Sequence, residues 1–132
     1  MSRKTILQKL FLKENDRFML LNDPPGYGGS LGELPAGVEL LGKGPGMADV
    51  VQLFVTRREE LLRQMDFIIG ALDPVGRGIL WVTYPKGSSK IGTDLNRDSI
   101  NDLLLTLGFK GVAIIAVDED WSAIRFKRVQ EV

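Results

Sequence analysis

The sequence predicts an α/β domain: a three-layer sandwich whose sheet is mostly parallel and gains one antiparallel strand at its C-terminal end. Three observations carry that prediction. Val50 to Val55, Ile79 to Thr83 and Val112 to Val117 are short apolar runs of strand length, the pattern of strands covered on both faces. Two segments with helical spacing separate them, and strands that alternate with helices build parallel sheets through right-handed crossovers. Finally, Ile124 and Phe126 alternate with Arg125 and Lys127 after a tight turn at Glu119 to Ser122, which returns the chain antiparallel to the run before it.

The elements follow in order. Ile6, Leu7, Leu10 and Phe11 recur at helical spacing and predict a short helix over residues 4 to 13. Phe18 to Leu21 reads as a strand stopped by Asn22-Asp23-Pro24-Pro25-Gly26. The Gly/Pro-rich stretch from Asp23 to Gly37 leaves room for one helical turn around Ser30 to Leu34, because each glycine in a helix costs about 1 kcal/mol relative to alanine. Val38 to Leu41 is a second short strand. Thr56 followed by Glu59 matches a capping box, and Leu61, Leu62, Met65, Ile68, Ile69 and Leu72 trace one helix face until Asp73-Pro74 ends it. Asp94 is placed to cap the next helix, whose face is Ile100, Leu103, Leu104 and Leu107, with Gly108 where a left-handed C-terminal residue belongs.

From this pattern the three apolar runs are expected to be adjacent, parallel and buried. The link Gly42 to Ala48 is short, spanning at most about 25 Å fully extended and leaving no room for a crossover helix. One sheet face is then left for the N-terminal helix to cover, or for a second copy in a homodimer.

At 132 residues the chain is expected to be one domain, 1–132. Its 17 Lys plus Arg balance 17 Asp plus Glu, so the whole fold offers no basic field and no nucleic acid partner is expected. Any anion site must be local. The absence of Cys and His removes thiol nucleophiles, His general bases, Ser-His-Asp triads, disulfides and Cys/His zinc sites, and no metal is expected. The N-terminal apolar residues are interrupted by Gln8 and Lys9, unlike a signal-peptide core, and no apolar run approaches the roughly 20 residues of a membrane span. A cytoplasmic protein is the expectation.

Ligands of open parallel sheets bind beyond the carboxyl ends of the strands, which directs attention to three loops. The turn after the first strand carries Asp23, Gly26, Tyr27 and Gly28, a Gly-rich segment able to bring backbone N–H groups near a phosphate or carboxylate. A plain Gly/Pro loop has the same composition, and Leu31 stands where a dinucleotide fingerprint has its third glycine. The loop after Ile79 to Thr83 carries Tyr84, Lys86, Ser88 and Ser89 and leads to Asp94, donors suited to charge-assisted bonds with an anion. A solvated basic loop is the alternative. An anion is expected between this loop and the Asp23 to Gly29 turn. The third cluster, Asp118, Glu119, Asp120, Trp121 and Arg125, reads as a hairpin turn with Trp121 covering the sheet edge. Arg57 and Arg58 in the first turn of a helix oppose its dipole, which calls for a local acid or a bound anion.

From Asp49-Val50-Val51 through the capped helix, Gly78-Ile79-Leu80-Trp81-Val82, the helix ending Leu107-Gly108-Phe109 and the final hairpin, the chain resembles the second half of a class I methyltransferase fold. Nearly the whole chain resembles a small bacterial family of unknown function, through GELPAGV (32–38), DVVQLFVT (49–56), LWVTYPKGSSK (80–90), TDLNRD (93–98) and AVDEDWSAIRF (116–126). The resemblance implies a small Rossmann-like domain, a truncated methyltransferase-like sandwich. It brings no catalytic residue with it. The sequence departs from true methyltransferases in its first Gly motif, in having Gly42 and Lys43 rather than an acid after the second strand, and in lacking a full third strand-helix unit.

Two functions follow as expectations. The first is a non-catalytic domain that binds a small anionic or nucleotide-like ligand, or a protein partner, at the strand-end rim. The alternative is an S-adenosylmethionine-dependent methyltransferase with Tyr84 or Asp23 near the reacting centre.

Overall fold

The computed structural model describes residues 5–44 and 46–129. The chain runs α1 (Ile6–Lys9), β1 (Arg17–Leu21), α2 (Tyr27–Ser30), β2 (Glu39–Leu41), β3 (Val50–Phe54), α3 (Arg58–Ala71), β4 (Ile79–Pro85), α4 (Arg97–Thr106), β5 (Phe109–Ala116) and β6 (Trp121–Arg128). One six-stranded sheet has the order β2-β1-β3-β4-β6-β5. The first four of these strands are mutually parallel, while β6 runs antiparallel to both β4 and β5. This is the mostly parallel, Rossmann-like sandwich with an antiparallel C-terminal strand that the sequence predicts.

Each sheet face buries a separate apolar cluster. On one, Val51, Leu53, Leu80 and Val82 meet Leu61, Met65 and Ile68 of α3 and Ile100 and Leu104 of α4. Alternate residues of the same strands turn to the other face, where Phe18, Val50, Phe54 and Trp81 pack with Leu7, Leu10 and Tyr27. The N-terminal segment therefore covers the second face from within the chain. Trp81 Nε1 donates to the Leu10 carbonyl at 3.2 Å, and Lys9 Nζ to the Ala116 carbonyl at 3.1 Å, which fastens that segment across the sheet.

Several expectations need correction. The helix expected over residues 4 to 13 is one turn, and its first position lies outside the described residues; Phe11 takes φ 60°, which a right-handed helix cannot include. The turn expected at Ser30 to Leu34 forms earlier, at Tyr27–Ser30, with Tyr27 and the C-cap Leu31 both buried in the same apolar cluster. Val112 to Val117 is not a buried central strand. β5 is the sheet edge and β6 lies between it and β4, so Val112 and Ile114 are 40% and 49% exposed. Every position from Val112 to Val117 is apolar, so that run shows no alternation in sequence even though the structure covers β5 unevenly.

The helix starts also differ. Arg57 is the N-cap residue of α3 and makes no side-chain capping bond; Glu60 Oε1 accepts from the Thr56 N–H at 3.1 Å, and Thr56 takes part only through its backbone. Asp94 caps α3 from the adjacent loop, Oδ1 accepting from the Arg58 N–H at 2.8 Å, while Asn96 and Ser99 form the capping box of α4. Asp94→Ala is accordingly expected to cost about 1 kcal/mol, the usual value of a lost cap, and Thr56→Ala to leave the urea midpoint nearly unchanged. Gly108, at φ 89°, does occupy the left-handed position after α4.

No helix among the described residues is long and apolar enough to cross a membrane.

Candidate functional site

Chain order and strand order together locate a crevice. From β1 the chain moves outward to β2, then returns to β3 on the other side of β1. Its helices leave on opposite faces, with Tyr27 of α2 in one core cluster and Leu61 and Met65 of α3 in the other. At such a switch point the loops after the two strands part and leave an opening outside their carboxyl ends. One wall is Asn22 to Gly26, the other Val55 to Arg57.

The first wall is shaped by backbone conformation. Asn22 and Gly26 both lie in the left-handed region, at φ 58° and 83°. Gly26 serves as N-cap of α2 there, a position in which any Cβ is strained. Asp23 is exposed between them. On the second wall the Val55 N–H pairs with the Thr83 carbonyl at 2.9 Å, and the Thr56 carbonyl accepts from Thr93 Oγ1 at 2.7 Å. Arg57, exposed at the start of α3, is thus a cation on a braced backbone.

The carboxyl end of β3 is held by packing and by hydrogen bonds. Phe54, the last residue of β3, packs edge-on against Tyr27 and Trp121, at ring-centroid distances of 4.7 and 5.1 Å. Tyr27 Oη donates to Gln52 Oε1 at 2.9 Å, and Gln52 Nε2 donates to Thr83 Oγ1 at 3.1 Å. Gln52 and Thr83 are fully buried, so this chain of bonds satisfies polar groups that water cannot reach. Burial pushes the Tyr27 hydroxyl up to about 12, which keeps it a neutral donor.

The residues singled out in the sequence are distributed unevenly over this rim. Asp23 and Gly26 line the first wall. Tyr27 turns inward to Gln52, and Gly28 approaches the Leu20 and Leu40 side chains, where a Cβ would meet them at 3.6 and 3.7 Å. Because β3 lies between β1 and β4, the Lys86 loop and the Asp23 turn are one strand apart. The Lys86 loop is tied to the hairpin: the Lys86 N–H donates to the Asp120 carbonyl at 2.8 Å and Ser89 Oγ to Asp120 Oδ1 at 2.9 Å. Ser88 is exposed at the tip of the loop. Tyr84 is buried in the α3–α4 cluster, its hydroxyl pKa raised mainly by burial, and Asp94 is occupied as the cap of α3.

Arg57 and Thr56 are not among the site residues that the sequence suggests, although two arginines at a helix start call for a countercharge. Asp94 supplies part of it, through the Arg58 N–H. Gln52 was visible as the one polar residue in an apolar strand. A second polar cluster holds the opposite end of the sheet: Arg17 bridges Asp49 and Asp73 at 3.1 and 2.7 Å, and Arg77 pairs with buried Asp16. The Arg17 guanidinium keeps both Asp49 and Asp73 below the usual carboxylate range.

No family model matches the chain, and no curated protein matches it. Solved structures do match. The DhpI-SAM-HEP complex is 10% identical with a TM-score of 0.63, covering 93% of this chain and 84% of its own. An NADB-Rossmann superfamily protein from Streptococcus agalactiae is 10% identical with a TM-score of 0.61, covering 100% and 71%. A putative methyltransferase from Pseudomonas syringae is 13% identical with a TM-score of 0.58, covering 93% and 94%. Identities this low establish the fold, a class I methyltransferase-like sandwich, and only the fold.

Proposed function

We propose that the crevice between the carboxyl ends of β1 and β3 binds an S-adenosyl-type nucleoside, and that the domain binds it without transferring a methyl group. The observation that supports this reading is the switch point, whose two strand-end loops carry an exposed acid, Asp23, and an exposed cation, Arg57, next to Phe54, which packs edge-on against Tyr27. Arg57 suits the carboxylate of the amino acid moiety, and Asp23 suits an ammonium or a ribose hydroxyl. A carboxylate after β2, where ribose is often held, is replaced by Gly42 and Lys43, and Lys43 Nζ lies 5.1 Å from the centre of the Phe67 ring. The ribose contact therefore falls to Asp23.

The case against transfer is chemical. Asp94 and Ser89 are engaged in bonds that hold loops together, and Tyr27 points away from the rim into the core. Methyl transfer is the second reading, favoured by the similarity to the DhpI-SAM-HEP complex. It predicts that S-adenosylhomocysteine accumulates when the protein is incubated with S-adenosylmethionine and a pool of candidate acceptors. The binding reading predicts saturable heat in calorimetric titrations with both compounds and no accumulation. Arg57→Ala is expected to weaken both about tenfold, equivalent to roughly 1.4 kcal/mol, with an unchanged melting temperature. No saturable heat from the parent protein overturns the proposal.

A further inference from the structure

We propose that the opposite, amino-terminal end of the sheet carries a second anion site, built from Arg77, Lys127 and Arg128, that takes a small phosphate-bearing molecule. This inference does not rest on the crevice.

The 73–78 turn enters β4 beside the residues that end β6, since these strands are antiparallel with Leu80 opposite Phe126. A cavity of about 380 Å³ lies between them, within the range of small-ligand pockets, and a second of about 170 Å³ shares its Arg77, Gly78 and Lys127. Among the described residues, three cations and one carboxylate line the larger cavity, and Arg77, Arg125 and Lys127 line the smaller with no acid. The one carboxylate, Asp73, is already committed, accepting from Arg17 at 2.7 Å and from the Val75 N–H at 3.0 Å. Its partner Arg17, which does not line the cavity, is shared with Asp49.

Two of the cations are held in place. Arg77 is pinned by Asp16, and Arg128 Nη2 donates to the Ile69 carbonyl at 2.6 Å. A guanidinium has five N–H donors, so each retains donors after these bonds, in a fixed plane that suits phosphate oxygens. Lys127 adds a compact exposed charge.

The strand register gives an independent indication. Lys110 of β5 sits directly opposite Lys127 of β6, and like charges facing across an antiparallel pair are destabilising. Phe109 opposite Arg128 brings a further cation to the same end of the hairpin. The end that gathers Arg77, Arg125, Lys127, Arg128 and Lys110 also holds Asp16, Asp49 and Asp73, which pair with Arg77 and Arg17, and the cations beyond those pairs favour an anion there. The cavity dimensions favour a small molecule over a polymer backbone.

Inorganic pyrophosphate is the probe, titrated into the full chain by calorimetry at constant ionic strength. Saturable binding is expected for the parent, and Lys127→Glu is expected to weaken it at least about tenfold. Arg57→Ala, at the far rim, should bind pyrophosphate like the parent. Lys127→Glu should also melt at or above the unliganded parent, because Lys110 then faces a carboxylate; Lys127→Ala provides the same binding test without charge reversal. The proposal is overturned by absence of saturable binding to the parent or by undiminished binding in both Lys127 variants. A single-stranded RNA oligomer that binds more tightly than pyrophosphate, with a steep salt dependence, would show a nucleic acid surface instead.

Discussion

Trp81→Ala is expected to destabilise the protein by about 3–5 kcal/mol, the usual range for removing a large buried aromatic. Trp81 is fully buried in the middle of β4, in the cluster that joins Phe18, Val50 and Phe54 to the N-terminal segment. Its indole N–H also satisfies the Leu10 carbonyl, so truncation opens a cavity and releases the segment that covers this face. Trp81→Phe separates the two contributions: it restores most of the packing but leaves the carbonyl without its donor, and should cost about 1–3 kcal/mol. Urea unfolding followed by circular dichroism reads both. A Trp81→Ala loss near that of an exposed substitution would contradict the assignment of this face as core.

Gln52→Leu is expected to have the second largest effect. It keeps a side chain of similar size inside β3 but removes the acceptor for Tyr27 Oη and the donor to Thr83 Oγ1. Each polar group left buried and unpaired costs about 1–3 kcal/mol. Because replacing both partners is far less costly than replacing one, Gln52→Leu combined with Tyr27→Phe should regain part of the loss. Simple additivity of the two single variants in urea unfolding would contradict a coupled pair. Gln52→Leu should also weaken binding at the crevice, since the bond it removes anchors α2 and the loop before it.

How far the sequence could be read depends on what each segment meets. β3 and β4 were legible because both of their faces are covered, and a run that is apolar but for Gln52 and Thr83 records that directly. β5 carries a similar run at the sheet edge, where Val112 and Ile114 reach solvent. Composition alone cannot distinguish the two cases. The insertion of β6 between β4 and β5 is a long-range choice with no local signature. The start of α3 shows the same limit, since its capping oxygen comes from Asp94, 36 residues beyond the N–H it serves.

The candidate site divides in a similar way. The position of the first strand-end loop, with Asp23 and Gly26 in it, was legible from Gly/Pro punctuation after an apolar strand. Pairing the first loop with Val55 to Arg57 required the strand order, because only the order reveals that β2 and β3 lie on opposite sides of β1. The cationic end of the sheet was hidden for the same reason. Arg77, Lys110 and Lys127 are far apart in sequence and meet only through the β4–β6–β5 register.

The most direct test of the crevice is a two-dimensional amide spectrum of ¹⁵N-labelled protein titrated with S-adenosylhomocysteine. The switch-point assignment predicts saturable shifts concentrated at Asn22, Asp23, Gly26 and Val55 to Arg58, with the amino-terminal end of the sheet unchanged. Shifts confined to Lys86 to Lys90 and Asp118 to Ser122, or no shifts at all, would contradict it.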